Sequence, residues 1–129
     1  ALARQVVAQL DWNRETVTPP TPEFADPTYH PDEIAGIMPI DPKTPLDMRE
    51  VVARLVDSSE FHAFKPDFGP ATLCLKARIH GVAVGIIANN GPIDPAGANK
   101  ATHFMQACDQ ADTPLIFLNN TTGYMVGVD

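Results

Sequence analysis

Cysteine is scarce in this chain. Cys74 and Cys108 are the only two in 129 residues, and the first ten residues (ALARQVVAQL) mix charge with small apolar groups rather than forming a secretory signal. Two reduced thiols are therefore expected, with no disulfide and no metal site. Basic residues are scarce too. Nine Lys and Arg stand against sixteen Asp and Glu, a net charge of −7, and they are scattered, whereas phosphate-backbone binding needs a concentrated basic patch. A nucleic-acid partner is excluded on that ground. No apolar run approaches the roughly 18 residues that a membrane helix needs, so no membrane partner is expected. Also missing are Gly-x-Ser-x-Gly, His-Glu-x-x-His and Cys-x-x-Cys, which removes the nucleophile-elbow hydrolases, the zincins and the dithiol redox proteins.

What is present is an ordinary globular composition, 44% hydrophobic and 19% charged, in a length suited to about one domain. Leu2, Val6, Val7 and Leu10 fall at helical spacing, so residues 1–10 read as a helix, entered without a cap or an initiator Met. With the equally open ending at Gly127-Val128-Asp129, this reads as a fragment of a longer chain. Eight of the thirteen prolines lie between positions 12 and 45. Proline removes a donor and fixes φ, so this stretch is expected to be an extended arm, with a short helical turn near Pro31-Asp32-Glu33-Ile34. The division that follows is residues 1–46, helix end and arm, and residues 47–129, the start of a folded domain.

Asp47 followed by Glu50 matches a capping box. Met48, Val51, Val52, Leu55 and Val56 then form one helical stripe, predicting a helix that ends near Asp57-Ser58-Ser59. Leu73, Leu75, Ala77 and Ile79 alternate with Thr72, Cys74, Lys76 and Arg78, predicting a strand with one solvated face. His80-Gly81 is a tight connection. Val82–Ala88 (VAVGIIA) predicts a strand buried on both faces, residues 97–111 a helix, and Leu115–Leu118 a second fully buried strand.

A helix between two buried strands is a crossover, so the strands should run parallel with a right-handed connection. Ligands sit outside the carboxyl ends of such strands. Two segments leave those ends: Asn89-Asn90-Gly91-Pro92-Ile93-Asp94-Pro95-Ala96-Gly97 and Asn119-Asn120-Thr121-Thr122-Gly123-Tyr124. Each alone reads more readily as a bend than as a site, since Asn-Gly is a common turn pair. Together at one sheet edge, and with the first opening a helix N-terminus, they suit an oxyanion or a ureido carbonyl better than acid–base work. Asp94 is the one acid that either segment offers. His62 and His80 read as structural, His103 (with Lys100 one turn earlier) as packed or surface-lying, and Asp109 and Asp112 as a solvated face.

At these residues the chain resembles a known family. Asp47-Met48-Arg49-Glu50-Val51-Val52-Ala53-Arg54-Leu55-Val56-Asp57, Val84-Gly85-Ile86-Ile87-Ala88-Asn89-Asn90-Gly91, Lys100-Ala101-Thr102-His103-Phe104, Thr113-Pro114-Leu115-Ile116-Phe117-Leu118 and Thr122-Gly123-Tyr124-Met125-Val126-Gly127 resemble the carboxyltransferase β subunits of biotin-dependent acyl-CoA carboxylases. Asn89-Asn90-Gly91 and the Thr-Gly-Tyr-Met-Val-Gly string resemble the branch acting on α,β-unsaturated branched acyl-CoAs, geranyl-CoA before methylcrotonyl-CoA. The resemblance implies an α/β, crotonase-like ββα superhelix, of which this would be the start of the second, biotin-side domain. It implies biotin, as carboxybiotin on a carrier domain, and acyl-CoA as substrate. It also implies a biotin carboxylase and biotin carrier partner, a homo-hexamer, and a cytoplasmic location, or the mitochondrial matrix in a eukaryote. The family's Gly-Gly-Ala-type oxyanion hole finds no match before Asp129, so the isolated piece is expected to be inactive. Asn90, Gly91, Thr121, Thr122 and Gly123 are the residues expected to line the biotin side. A crotonase-fold hydratase or isomerase is the competing enzyme, and it would need a carboxylate base in these turns. The isolated fragment could also be a non-catalytic assembly segment.

Overall fold

The computed structural model describes residues 2–8, 24–41, 44–121 and 123–127. Within them lie α1 (Leu2–Ala8), a 3-10 turn at Pro31–Glu33 running into α2 (Ile34–Ile37), α3 (Met48–Val52), β1 (Phe61–Ala63), β2 (Thr72–Ile79), β3 (Val82–Asn89), α4 (Pro95–Gln110) and β4 (Leu115–Leu118). The strands form one sheet in the order β1-β2-β3-β4. The first two pairings are antiparallel and β3 runs parallel to β4, with Gly85 opposite Leu115 and Ala88 opposite Leu118. The predicted succession of strand, hairpin, strand, crossover helix and strand is what forms. Among the described residues no helix is long and apolar enough to cross a membrane.

Alternation along the strands sends side chains to two covered faces. Leu73, Leu75, Val84, Ile86 and Ala88 join Met48, Val51, Val52 and Val56 of the α3 region on one side. Cys74 and Ile87 join Phe104 and Cys108 of α4 on the other. Each large apolar side chain so buried contributes about 1.5–3 kcal/mol. The second interface is close because Gly85 has no side chain. A Cβ there would lie 2.8 Å from Cys108 Sγ and 2.9 Å from Leu115 Cδ2.

Three expectations are corrected. The alternation in 72–79 predicts a solvated face, yet Thr72 and Cys74 are each 1% exposed, because α4 lies across that face. It opens only from Lys76 onward, where Arg78 is exposed. Leu115–Leu118 is half-buried rather than enclosed, and Phe117 is 53% exposed. β4 ends the sheet order, and its inner neighbours take the helical cover. The helix after Asp47 ends at Val52. The chain continues through turns into a 3-10 turn at Asp57–Ser59, where Ser58 and Ser59 have φ of +55° and +58°. The helical stripe nonetheless stays buried at Val56. β1 was not anticipated: three residues give too short a pattern to read.

Residues 12–23, 42 and 43 of the expected proline-rich arm lie outside the described residues; residues 24–27 carry no helix or strand and pack on this core. Phe24 stacks on His80 with ring centres 4.4 Å apart, and the Ser58 N–H donates to Ala25 O at 3.2 Å. The buried Arg54 guanidinium bonds Glu33 at 3.1 Å and Glu50 at 3.0 Å and lies 5.1 Å from the Tyr29 ring centre.

Candidate functional site

The two polar turns meet. The Ile93 N–H donates to Gly123 O at 2.9 Å, and the Met125 N–H donates to Ile93 O at 2.8 Å, which makes Ile93 and Tyr124 a parallel bridge. The turn after β3 and the turn after β4 are thereby stitched side by side above the carboxyl ends of the parallel pair. α4 starts two residues later at Pro95, with Asp94 as its N-cap accepting the Gly97 N–H. The start of a 16-residue helix therefore sits at the same edge, where its dipole favours negative charge.

The five expected residues divide. Asn90 is half-buried, and its side chain is engaged away from the mouth. Its Oδ1 accepts the Met48 N–H at 2.8 Å and its Nδ2 donates to Asp47 Oδ1 at 2.9 Å, so it caps α3 from 42 residues away. Gly91 has no hydrogen bond to its N–H among the described residues. A Cβ there would find Ala71 Cβ at 3.7 Å and nothing nearer. The fold does not demand a glycine at that position, and its absent side chain leaves open room over the turn. Thr121 closes its own bend: its hydroxyl donates to Gly123 O at 3.1 Å and accepts the Gly123 N–H at 3.2 Å. Gly123 has φ of +124°, a conformation that L side chains rarely adopt. Thr122 lies outside the described residues. The turns bring Gly91, Thr121 and Gly123 to one edge, while Asn90 acts from behind them.

The other candidates separate on burial. Lys100 is 1% exposed, its Nζ is 3.4 Å from Lys65 O, and burial pulls its amine below the ordinary lysine range. His103 is exposed, with Nδ1 3.2 Å from Lys65 Nζ. Neither reaches the turns through any of these contacts. Burial pushes the Cys74 thiol up to about 11, so it is inert rather than nucleophilic. Asp94, the one acid of the two turns, caps α4 through Oδ1. An open groove of about 700 Å³, lined by Asp57, Glu60, His62, Lys76 and Arg78 among others, lies toward the opposite end of β3 from the turns.

Sequence reasoning missed Asn89. It is 3% exposed at the last position of β3, faces Thr72 across the ladder, and among the described residues no hydrogen bond holds its side chain. Beside it, Thr72 Oγ1 is buried with no hydrogen-bond partner among the described residues. The doublet Asn89-Asn90 carried the signal, but which amide is committed depends on contacts with α3 that are distant in sequence.

The solved structures that share this sheet are carboxyltransferase domains of crotonase-like α/β fold, of which this chain carries a part. The chain belongs to the carboxyl transferase domain family, whose pattern matches residues 1–129. It is 50% identical to the β subunit of geranyl-CoA carboxylase from P. aeruginosa, with a TM-score of 0.80 over 98% of this chain and 24% of that one. The transcarboxylase 12S, solved as a hexamer, superposes with a TM-score of 0.74 at 32% identity, over 82% of this chain and 22% of that one. The mitochondrial methylcrotonoyl-CoA carboxylase β chain of Dictyostelium discoideum is 45% identical over 127 residues, 98% of this chain and 21% of that protein. In each case the chain spans less than a quarter of the other protein's length.

Proposed function

We propose that this chain is part of the carboxyltransferase β subunit of a biotin-dependent acyl-CoA carboxylase, with residues 47–129 opening its biotin-side domain and residues 1–46 supplying a helix end and an arm. The observation that carries the reading is the Ile93–Gly123 and Met125–Ile93 stitching of two short-side-chain turns beside the start of α4. The residues fit a ureido group. Gly91 offers an N–H with no partner among the described residues, beneath open space, the helix start favours developing negative charge, and the first turn's one acid, Asp94, accepts the Gly97 N–H.

Carboxybiotin, delivered on a carrier domain, would supply both CO2 and, through its ureido nitrogen, the base for the thioester. The chain's own part is to offer the Gly91 N–H to the ureido oxygen and to keep the turn in place. A protein base is then unnecessary, in agreement with Asp94 being engaged elsewhere. The substrate is an α,β-unsaturated branched acyl-CoA. Geranyl-CoA is favoured over methylcrotonyl-CoA, which the 50% identity to the geranyl-CoA enzyme and the 45% to the methylcrotonoyl-CoA enzyme support. The partners are a biotin carboxylase subunit bearing the carrier and further copies of the β subunit, a hexamer being supported by transcarboxylase 12S. The location is the cytoplasm, or the mitochondrial matrix in a eukaryote.

Gly91→Val in the full-length subunit tests this. The added side chain enters open space rather than the core, so the protein should fold and bind acyl-CoA as before. Carboxyl transfer should fall at least about tenfold, as expected when a small misplacement spoils a reacting geometry. Undiminished transfer would refute the assignment.

A further inference from the structure

The turn after β3 is held at two points. Its far end is fixed by the Ile93 bonds to Gly123 and Met125. Its near end is fixed by Asn90, whose N–H donates to Ala71 O at 2.8 Å and whose side chain bridges to the start of α3. That bridge has one workable orientation. The Met48 N–H can only donate and the Asp47 carboxylate, ionised, can only accept, so the amide must present Oδ1 to Met48, at 2.8 Å, and Nδ2 to Asp47, at 2.9 Å. Asp47 is itself held. Its Oδ1 accepts the Arg49 N–H at 3.0 Å, and its Oδ2 meets Arg49 Nη1 at 3.0 Å. Burial works against the Asp47 carboxylate, but the bonds from the Arg49 N–H, the Asn90 amide and the Arg49 guanidinium outweigh it and keep the group ionised.

We infer that Asn90 is a positioning residue rather than a ligand contact, with Asp47 as its orienter: together they lock the turn onto α3, so that Gly91 stands where a ligand meets it. The doublet thus divides its work. One amide is consumed by the scaffold, and the other has no protein partner among the described residues. The inference rests on the carboxyltransferase reading above and adds that the geometry of the site depends on α3, an element remote from it in sequence.

The test uses the full-length subunit assembled with its biotin carboxylase partner, assayed in reverse with a carboxylated acyl-CoA as donor and biocytin as acceptor. Asn90→Ala and Asp47→Ala should each raise the KM for biocytin about tenfold or more while the KM for the acyl-CoA stays within about twofold. The double variant should be no worse than either single one, because both break the same link. Asp47→Ser, which retains a capping oxygen for the Arg49 N–H, should move the same constant in the same direction and serves if Asn90→Ala does not assemble. Unchanged constants with only a lowered melting temperature would overturn the positioning role, as would simple additivity of the two substitutions. A shift confined to the acyl-CoA constant would keep Asn90 as a positioning residue and overturn the carboxybiotin reading instead.

Discussion

Two thiols in this chain behave alike for one reason. Cys74 and Cys108 lie between the sheet and α4 with Phe104 and Ile87, and burial raises both above the ordinary thiol range, Cys74 to about 11. A raised folded-state value means that the folded protein holds its proton more tightly than the unfolded chain. The resulting contribution is complete below the unfolded value near 9 and is lost as pH climbs toward 11. Two outcomes follow at this scale. At pH 8 a thiol reagent should label neither cysteine in the native protein and both in urea, and urea midpoints should fall between pH 9 and 11. Prompt native labelling of Cys74 would contradict its burial. Lys100, buried nearby with its amine pulled down, shows the same apolar environment acting on a cation.

At the scale of the element, α3 is five residues long and would not persist alone. It exists because its apolar side enters the core and because its start is capped twice, by Asp47 on the Arg49 N–H and by Asn90 on the Met48 N–H. The capping box that the sequence suggested is only half formed. Asp47 caps, but the Glu50 carboxylate turns to Arg54 at 3.0 Å. Asp47→Ala should cost about 1 kcal/mol at neutral pH. Because the Asp47 value lies below its ordinary 3.8, its contribution is present above that pH and disappears as pH falls through the lowered folded value. Chemical denaturation across pH 2–5 should show an acid-side loss that is smaller in Asp47→Ala. Identical acid limbs would remove Asp47 from the account.

For the whole molecule, Arg54 joins the arm to the folded core beside the Phe24–His80 stack and the Ser58–Ala25 bond. Its side chain is 9% exposed, while Glu33 and Glu50 are more than half exposed. Removing the guanidinium therefore leaves two carboxylates that water can solvate, and the loss should be modest, about 1–2 kcal/mol. The larger effect is on the arm. Arg54→Ala should make residues 24–41 markedly more sensitive to limited proteolysis while β2, β3 and α4 stay protected, as judged by the masses of the fragments. Uniform sensitivity across the chain would mean that Arg54 holds the core rather than the arm.

The sequence by itself determined β2, the hairpin, β3, α4 and β4, because apolar spacing of two and of nearly four residues records how strands and helices bury themselves. It also determined that two polar turns leave the carboxyl ends of a parallel pair, since a helical crossover permits little else. Tertiary structure decided what each turn residue does. Asn90 and Asn89 are equivalent as letters and opposite in use, because α3, which takes one amide, lies 42 residues away in sequence. The solvated face expected of β2 was covered, and the enclosure expected of β4 was not, because strand order and helix placement over the sheet come from packing between elements that local pattern does not record.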